Sequence, residues 1–213
     1  AQTFNGLRDS TLRSGLGHLQ FAHPRTFDRS EDATLEHGLT NTDVIGAMLA
    51  KDPAVAVVMP RIEFFGLATA GARSVPFMGL GVDPVAEALG SDIPASVGQG
   101  RWLTSGRHEV VLGRGLAQHL NAKVGDTLTL LATTPEGVLN AIDANVAGIA
   151  DVMIKELSDR YLATTLPVAQ ELLGVSNVAS KISVGLHEPA DELASGRRLL
   201  AKLQTLTPDI GVK

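Results

Sequence analysis

The chain has 213 residues, with 18 Lys and Arg against 23 Asp and Glu, no cysteine, and 44% hydrophobic residues. A formal charge of −5 with no local basic run excludes a polyanion-binding surface, because nucleic-acid binding needs cations that displace counterions from phosphates. The lack of cysteine excludes disulfides, thiolate metal sites and thiol nucleophiles, and leaves the compartment open.

The composition is that of a folded chain long enough for one good core or two small ones. With six Phe, one Trp and one Tyr, aliphatic residues must do most of the packing. Apolar runs such as 54–59 fall far short of the roughly 18 residues that span a bilayer. The chain starts at Ala1 without an initiator Met, a basic n-region or an apolar h-region, which predicts a segment of a longer protein.

Residues 1–15, with Phe4, Leu7 and Leu12, read as a short helix ending at Gly15. Residues 17–22 alternate polar and apolar side chains as a half-buried strand does, closed by His23-Pro24, and a polar loop follows to Gly38. Thr40 or Asn41 caps a helix with Val44, Ile45, Met48 and Leu49 on one face, and Asp52-Pro53 stops it. Residues 54–65 read as a long strand, bent or at a sheet edge where Pro60 removes a donor. The first unit is β-α-β.

From Gly66 onward short β-like runs alternate with Gly and Pro: 75–82, 109–112, 127–132, 140–150 and 161–164, interrupted by one helix at 114–121 with Leu116, Ala117 and Leu120 inward. Helical spacing then returns, with Thr165 as cap, Pro167 in the first turn, Leu172 and Leu173 inward and Gly174 as terminator. Residues 182–186 form a strand. Residues 189–203 form an amphipathic helix carrying Leu193, Leu199, Leu200 and Leu203, with Asp191 and Glu192 near its start and Arg197, Arg198 and Lys202 near its end, as the helix dipole favours. Residues 208–212 make a last strand. The pattern predicts an α+β fold in which residues 1–66 and 160–213 form a base of two β-α-β halves and residues 67–159 a β-rich insertion.

Catalytic signatures are near misses. His108-Glu109 opens like a zinc-protease helix, but the second histidine position is Leu112 and the segment is strand-like, so His108 is an ordinary turn residue. Gly79-Leu80-Gly81 and Gly113-Arg114-Gly115 lack the third glycine of a dinucleotide loop, with Pro84 and Gln118 at those offsets; tight turns explain them. There is no phosphate loop and no nucleophile elbow. The six histidines show no i,i+4 pair, and Asp28, Glu31, Asp32 and Glu36 lack calcium-loop spacing and read as a solvated loop. The reading is therefore no catalytic residue, no metal and no cofactor, with a hydrolase of dispersed residues as the competing enzymatic reading.

One ordered set of short motifs rises above this background: Gly100-Arg101-Trp102-Leu103, Glu109-Val110-Val111-Leu112-Gly113, Leu116-Ala117, Val124-Gly125-Asp126-Thr127-Leu128 and Val146-Ala147-Gly148-Ile149. Gly17-His18-Leu19-Gln20 and Gly79-Leu80-Gly81-Val82-Asp83-Pro84 precede the set, and residues 166–173 follow it. In this order they resemble the extracytoplasmic domain of FtsX/MacB/LolC-type ABC transporter permeases, and the likeness covers most of the chain. Locally these glycines and aliphatics make turns and strands, so they read as fold markers and not as a binding site.

The resemblance implies a MacB-like periplasmic domain, set between the first two membrane helices of a permease at the periplasmic face of the bacterial inner membrane. Its Porter subdomain would be 1–66 with 160–213 and its Sabre subdomain 67–159. The implied partners are a cytoplasmic ABC ATPase subunit or domain, a second permease subunit in a homo- or heterodimer, and a periplasmic adaptor, chaperone or lipoprotein. The implied role is mechanical coupling of ATP hydrolysis to export or lipoprotein release. LolC-like members carry a long hairpin that captures a lipoprotein chaperone; here the corresponding connection, 133–139, is short, which weakens chaperone recruitment. The alternatives are a free periplasmic binding or adaptor module and an FtsX-like activator of a cell-wall hydrolase. For substrate or partner contact the candidates are Phe64, Phe65, Phe77 and Met78, with a place in the core as the other reading.

Overall fold

The computed structural model describes residues 19–27, 35, 37–187 and 192–213. The expected helix at 1–15, the first two residues of the strand at 17–22, the acidic cluster Asp28, Glu31, Asp32 and Glu36, and the start of the helix at 189–203 lie outside the described residues.

In chain order the elements are β1 (Leu19–Ala22), α1 (Pro24–Phe27), β2 (Leu39–Thr40), α2 (Thr42–Ala50), β3 (Val55–Ala70), β4 (Arg73–Val82), α3 (Pro84–Gly90), β5 (Val97–Gly100), β6 (Glu109–Gly113) and α4 (Arg114–Leu120). They continue with β7 (Thr127–Thr133), β8 (Leu139–Ala150), α5 (Lys155–Ser158), β9 (Tyr161–Thr165), α6 (Leu166–Leu173), β10 (Val178–Ala179), β11 (Lys181–Leu186), α7 (Glu192–Leu203) and β12 (Gly211–Val212). The fold is mixed α and β, with more strand than helix, as the sequence pattern predicts.

The chain divides into two compact units. The first comprises the described part of Ala1–Arg61, together with Val85–Ile93 and Asn177–Lys213; the second comprises Ile62–Pro84 and Pro94–Ser176. Their boundaries lie at other residues than the sequence-based 66/67 and 159/160.

In the first unit the strand order is β12-β1-β11-β3, antiparallel throughout, with Phe21 opposite Ile182 and Val212 and with Val184 opposite Val58. Its core gathers Leu19, Phe21, Ile45, Leu49, Ile182, Val184, Leu199 and Leu203, each burial worth roughly 1.5 to 3 kcal/mol. The cap of α2 differs from the expected one. Asn41 sits at φ 55 and makes no side-chain cap bond. Instead the Asn177 carboxamide oxygen accepts from the Asp43 N–H at 3.0 Å and from the Thr42 hydroxyl at 2.9 Å. Val44 is exposed rather than on the buried face of α2, and Leu193 likewise points outward from α7.

In the second unit β3 pairs β4, β4 pairs β9 in parallel, β9 pairs β6, β6 pairs β8 in parallel, and β7 pairs both β8 and β3, so the ladders close on themselves. The buried side of these strands packs against α4 and α6. Helix α6 follows its sequence signals: the Thr165 hydroxyl accepts from the Val168 N–H, proline lies in the first turn, and Gly174 closes the helix at φ 66. The turn between β7 and β8 is short, closed by Thr134 N–H donating to the Val138 carbonyl at 2.8 Å. Strand β5 and helices α3 and α5 fall in a stretch where the sequence predicts only one helix.

Candidate functional site

The four residues singled out as contact candidates lie on the β3–β4 hairpin, whose turn is made by Gly71 at φ +58 and whose ends are tied by the Thr69 and Ser74 hydroxyls at 2.8 Å. Strand alternation splits them into two pairs. Phe64 and Phe77 point inward, each 2% exposed, and meet edge to face with ring centroids 5.6 Å apart. Phe65 and Met78 point outward, 40% and 38% exposed.

The inward pair depends on two glycines. A Cβ on Gly79 would lie 2.5 Å from the Phe64 ring, and a Cβ on Gly66 2.8 Å from the Phe77 ring. Each ring therefore lies over a bare backbone on the facing strand. Gly81 similarly admits Ala169 of α6. Gly79 and Gly81 are thus strand residues that permit close packing, which corrects the tight-turn reading of Gly79-Leu80-Gly81. Gly113 and Gly115 meet the backbone of Ser158 and Asp159, and so serve the packing of the β6–α4 junction against the C-terminal end of α5.

On the outward side Leu67 is opposite Leu131, and Leu131 opposite Ala141, an apolar row across β3, β7 and β8. Leu67 is 45% exposed and Leu139, further along the edge of β8, 66%. Phe65 and Met78 form the next row. Beyond the first row lies a polar rail in which the Thr129 hydroxyl donates to the Asp143 carboxylate at 2.7 Å, beside the Thr69–Ser74 pair.

The ordered motifs lock onto one another. The buried Glu109 carboxylate binds the Arg101 guanidinium through both oxygens and accepts from the Thr104 N–H at 3.2 Å. The Arg101 pairing holds its carboxyl below the usual range, against the opposing effect of burial. Trp102 Nε1 donates to the Pro84 carbonyl at 3.2 Å. Gly100, at φ +73, lies against the Ala147 carbonyl where a Cβ would come within 2.3 Å. Gly125 N–H donates to the Val146 carbonyl, and Val146 N–H to the Asp126 carbonyl, both at 2.8 Å. Every one of these interactions is internal to the fold.

The near-miss residues fall elsewhere. His108 Nε2 lies 2.8 Å from Glu171 Oε2 on an exposed surface, and His23 stacks on His37 at 4.6 Å. Among the described residues no three His, Asp or Glu side chains converge as a metal would require. No described helix is long and apolar enough to cross a membrane.

The mixed α and β fold is similar to that of solved extracytoplasmic transporter domains. The periplasmic region of MacB from Actinobacillus actinomycetemcomitans matches with a TM-score of 0.65 at 14% identity, over 92% of this chain and 87% of that one. The extracellular domain of the noncanonic ABC-type transporter YknZ from Gram-positive bacteria matches with a TM-score of 0.67 at 13% identity, over 92% and 98%. At such identities the likeness is one of fold. The family model described as the MacB-like periplasmic core domain matches residues 2–199, and the chain belongs to that family.

Proposed function

We propose that the chain is the extracytoplasmic part of an ABC transporter permease and that it transmits movement driven by ATP hydrolysis in a cytoplasmic partner to a cargo or protein outside the membrane. The observation that carries this reading is the family match over residues 2–199. The motif residues support it, because Glu109, Arg101, Gly79 and Gly100, all in the second unit, are engaged in packing and pairing and leave that unit to act as a rigid body. On this reading the first unit corresponds to the Porter-like subdomain and the second to the Sabre-like one, and the assembly contains a second permease subunit. Export and lipoprotein release are both outcomes that such coupling serves.

The test is the intact reading frame and its activity. Apolar spans on both sides of residues 1–213, copurification with an ATPase, and an ATPase rate that changes when the outer domain is cross-linked would bear the proposal out. A secretion signal directly before Ala1 with a stop after Lys213 would overturn it in favour of a free periplasmic module.

A further inference from the structure

The outward row of the second unit breaks the rule that the solvent face of an antiparallel strand is polar. Phe65, Leu67 and Met78 are 38–45% exposed, with Leu131 and Ala141 continuing the row across β7 and β8. Four strands spaced about 4.8 Å apart and two rows about 7 Å apart give an apolar area of roughly 14 by 7 Å. That is the footprint of two to three helical turns of about 5.4 Å each.

We infer that this face docks an amphipathic helix of a partner protein, one with aliphatic or aromatic anchors flanked by Lys or Arg. The inference rests on the reading above that the domain contacts a partner, and it specifies that partner's chemistry. Two arguments select a helix over a second copy of the chain. An apolar face of that size covers about 100 Å², well short of the roughly 800 Å² per partner in a standard stable interface. An isologous contact also sets like against like, and the charged groups at the rim, Asp143 on β8 and Glu136 in the β7–β8 turn, are acids. The face itself carries no Lys or Arg: its outward positions on β4, β3, β7 and β8 include Pro76, Met78, Phe65, Leu67 and Leu131. Basic flanks are what this rim complements. A sheet face, with its backbone already paired, takes side-chain anchors and not an added strand, which favours a helix over an extended peptide.

The test uses the 213-residue chain and a fluorescent 18-residue helical peptide of leucines and lysines in amphipathic order, with a leucine–glutamate peptide of the same pattern as control. The leucine–lysine peptide is expected to bind saturably. Phe65→Ser with Leu67→Ser should weaken it about tenfold or more, Met78→Ser alone should act in the same direction, and Glu136→Gln with Asp143→Asn should weaken it about threefold at low salt. The control peptide should bind at least about tenfold less well. Unchanged melting temperatures show that each variant is folded.

Equal affinity for both peptides, or affinity indifferent to the serine variants, overturns the inference. So does micromolar dimerisation that those variants abolish, or their abolishing cosedimentation with phosphatidylcholine–phosphatidylglycerol vesicles, which would assign the face to a second copy or to a membrane. ATPase coupling in the intact permease is read separately. Coupling retained without peptide binding removes the docking site alone, whereas binding retained without coupling removes the permease reading alone.

Discussion

Arg61 and Glu87 form an ion pair that is almost wholly withdrawn from water, 3% and 1% exposed, with Nη2 to Oε1 at 2.5 Å and Nε to Oε2 at 3.1 Å. The Ser183 hydroxyl accepts from Arg61, and the Ser91 hydroxyl donates to Glu87 at 2.6 Å. Removing one partner strands a buried charge. Glu87→Ala is expected to cost about 3 to 5 kcal/mol in urea denaturation, whereas Arg61→Met with Glu87→Leu should recover most of that loss. A single substitution costing under about 1 kcal/mol would show that the pair is not holding α3 in the first unit.

The aromatic–glycine arrangement of the hairpin gives a second expectation. Gly79→Ala puts a methyl group into the Phe64 ring and should destabilise the second unit by about 1 to 3 kcal/mol. Combining it with Phe64→Leu should cost less than the sum of the two single changes, because the smaller side chain vacates the space. Strict additivity in a double-mutant cycle would contradict the packing described.

How far the sequence reveals this fold depends on where each element's stabilisation comes from. Helix α6 was legible because its cap, first-turn proline and terminating glycine are all local. Strands β6 to β9 were legible from apolar runs bounded by turn residues. Helix α3 was not. Its Val85 and Leu89 are 64% and 76% exposed, and its buried residues are Pro84 and Glu87, so no apolar periodicity marks it. The candidate contact residues were located only as a group. Which of them face water follows from alternation on β3 and β4, and the glycines that admit Phe64 and Phe77 lie on the facing strand.

Asp52 gives a pH-dependent expectation. Its carboxylate is 3% exposed, accepts from Lys202 Nζ at 2.8 Å and from Arg198 Nη2 at 3.1 Å, and is held at about 2, mainly by the Lys202 hydrogen bond working against burial. The folded-state value lies below the ordinary 3.8, so the folded state binds the proton less readily than the unfolded chain. The associated stability, about 1 to 2 kcal/mol, is therefore fully present above about pH 5 and is lost as the pH falls towards 2. In melting experiments across this range Asp52→Asn should be less stable than the parent at pH 7, with the gap closing near pH 2. A gap that stays constant with pH would exclude the ion pairs as its source.

The last expectation concerns the remote cap of α2. Asn177 stands at φ 56, a left-handed conformation that asparagine and glycine tolerate better than other residues, and its side chain supplies the acceptor that the helix lacks at its own Asn41. Asn177→Ala therefore removes the cap and strains the backbone, and should cost about 1 to 3 kcal/mol. Asn177→Gly removes the cap but relieves the strain. If capping dominates, the glycine variant loses about 1 kcal/mol, and amide exchange at Asp43 quickens in both variants. If glycine restores full stability, the side chain contributes nothing to α2 and the residue is kept for its backbone angle alone. The two substitutions thus separate a contact made across more than 130 positions of sequence from a purely local turn.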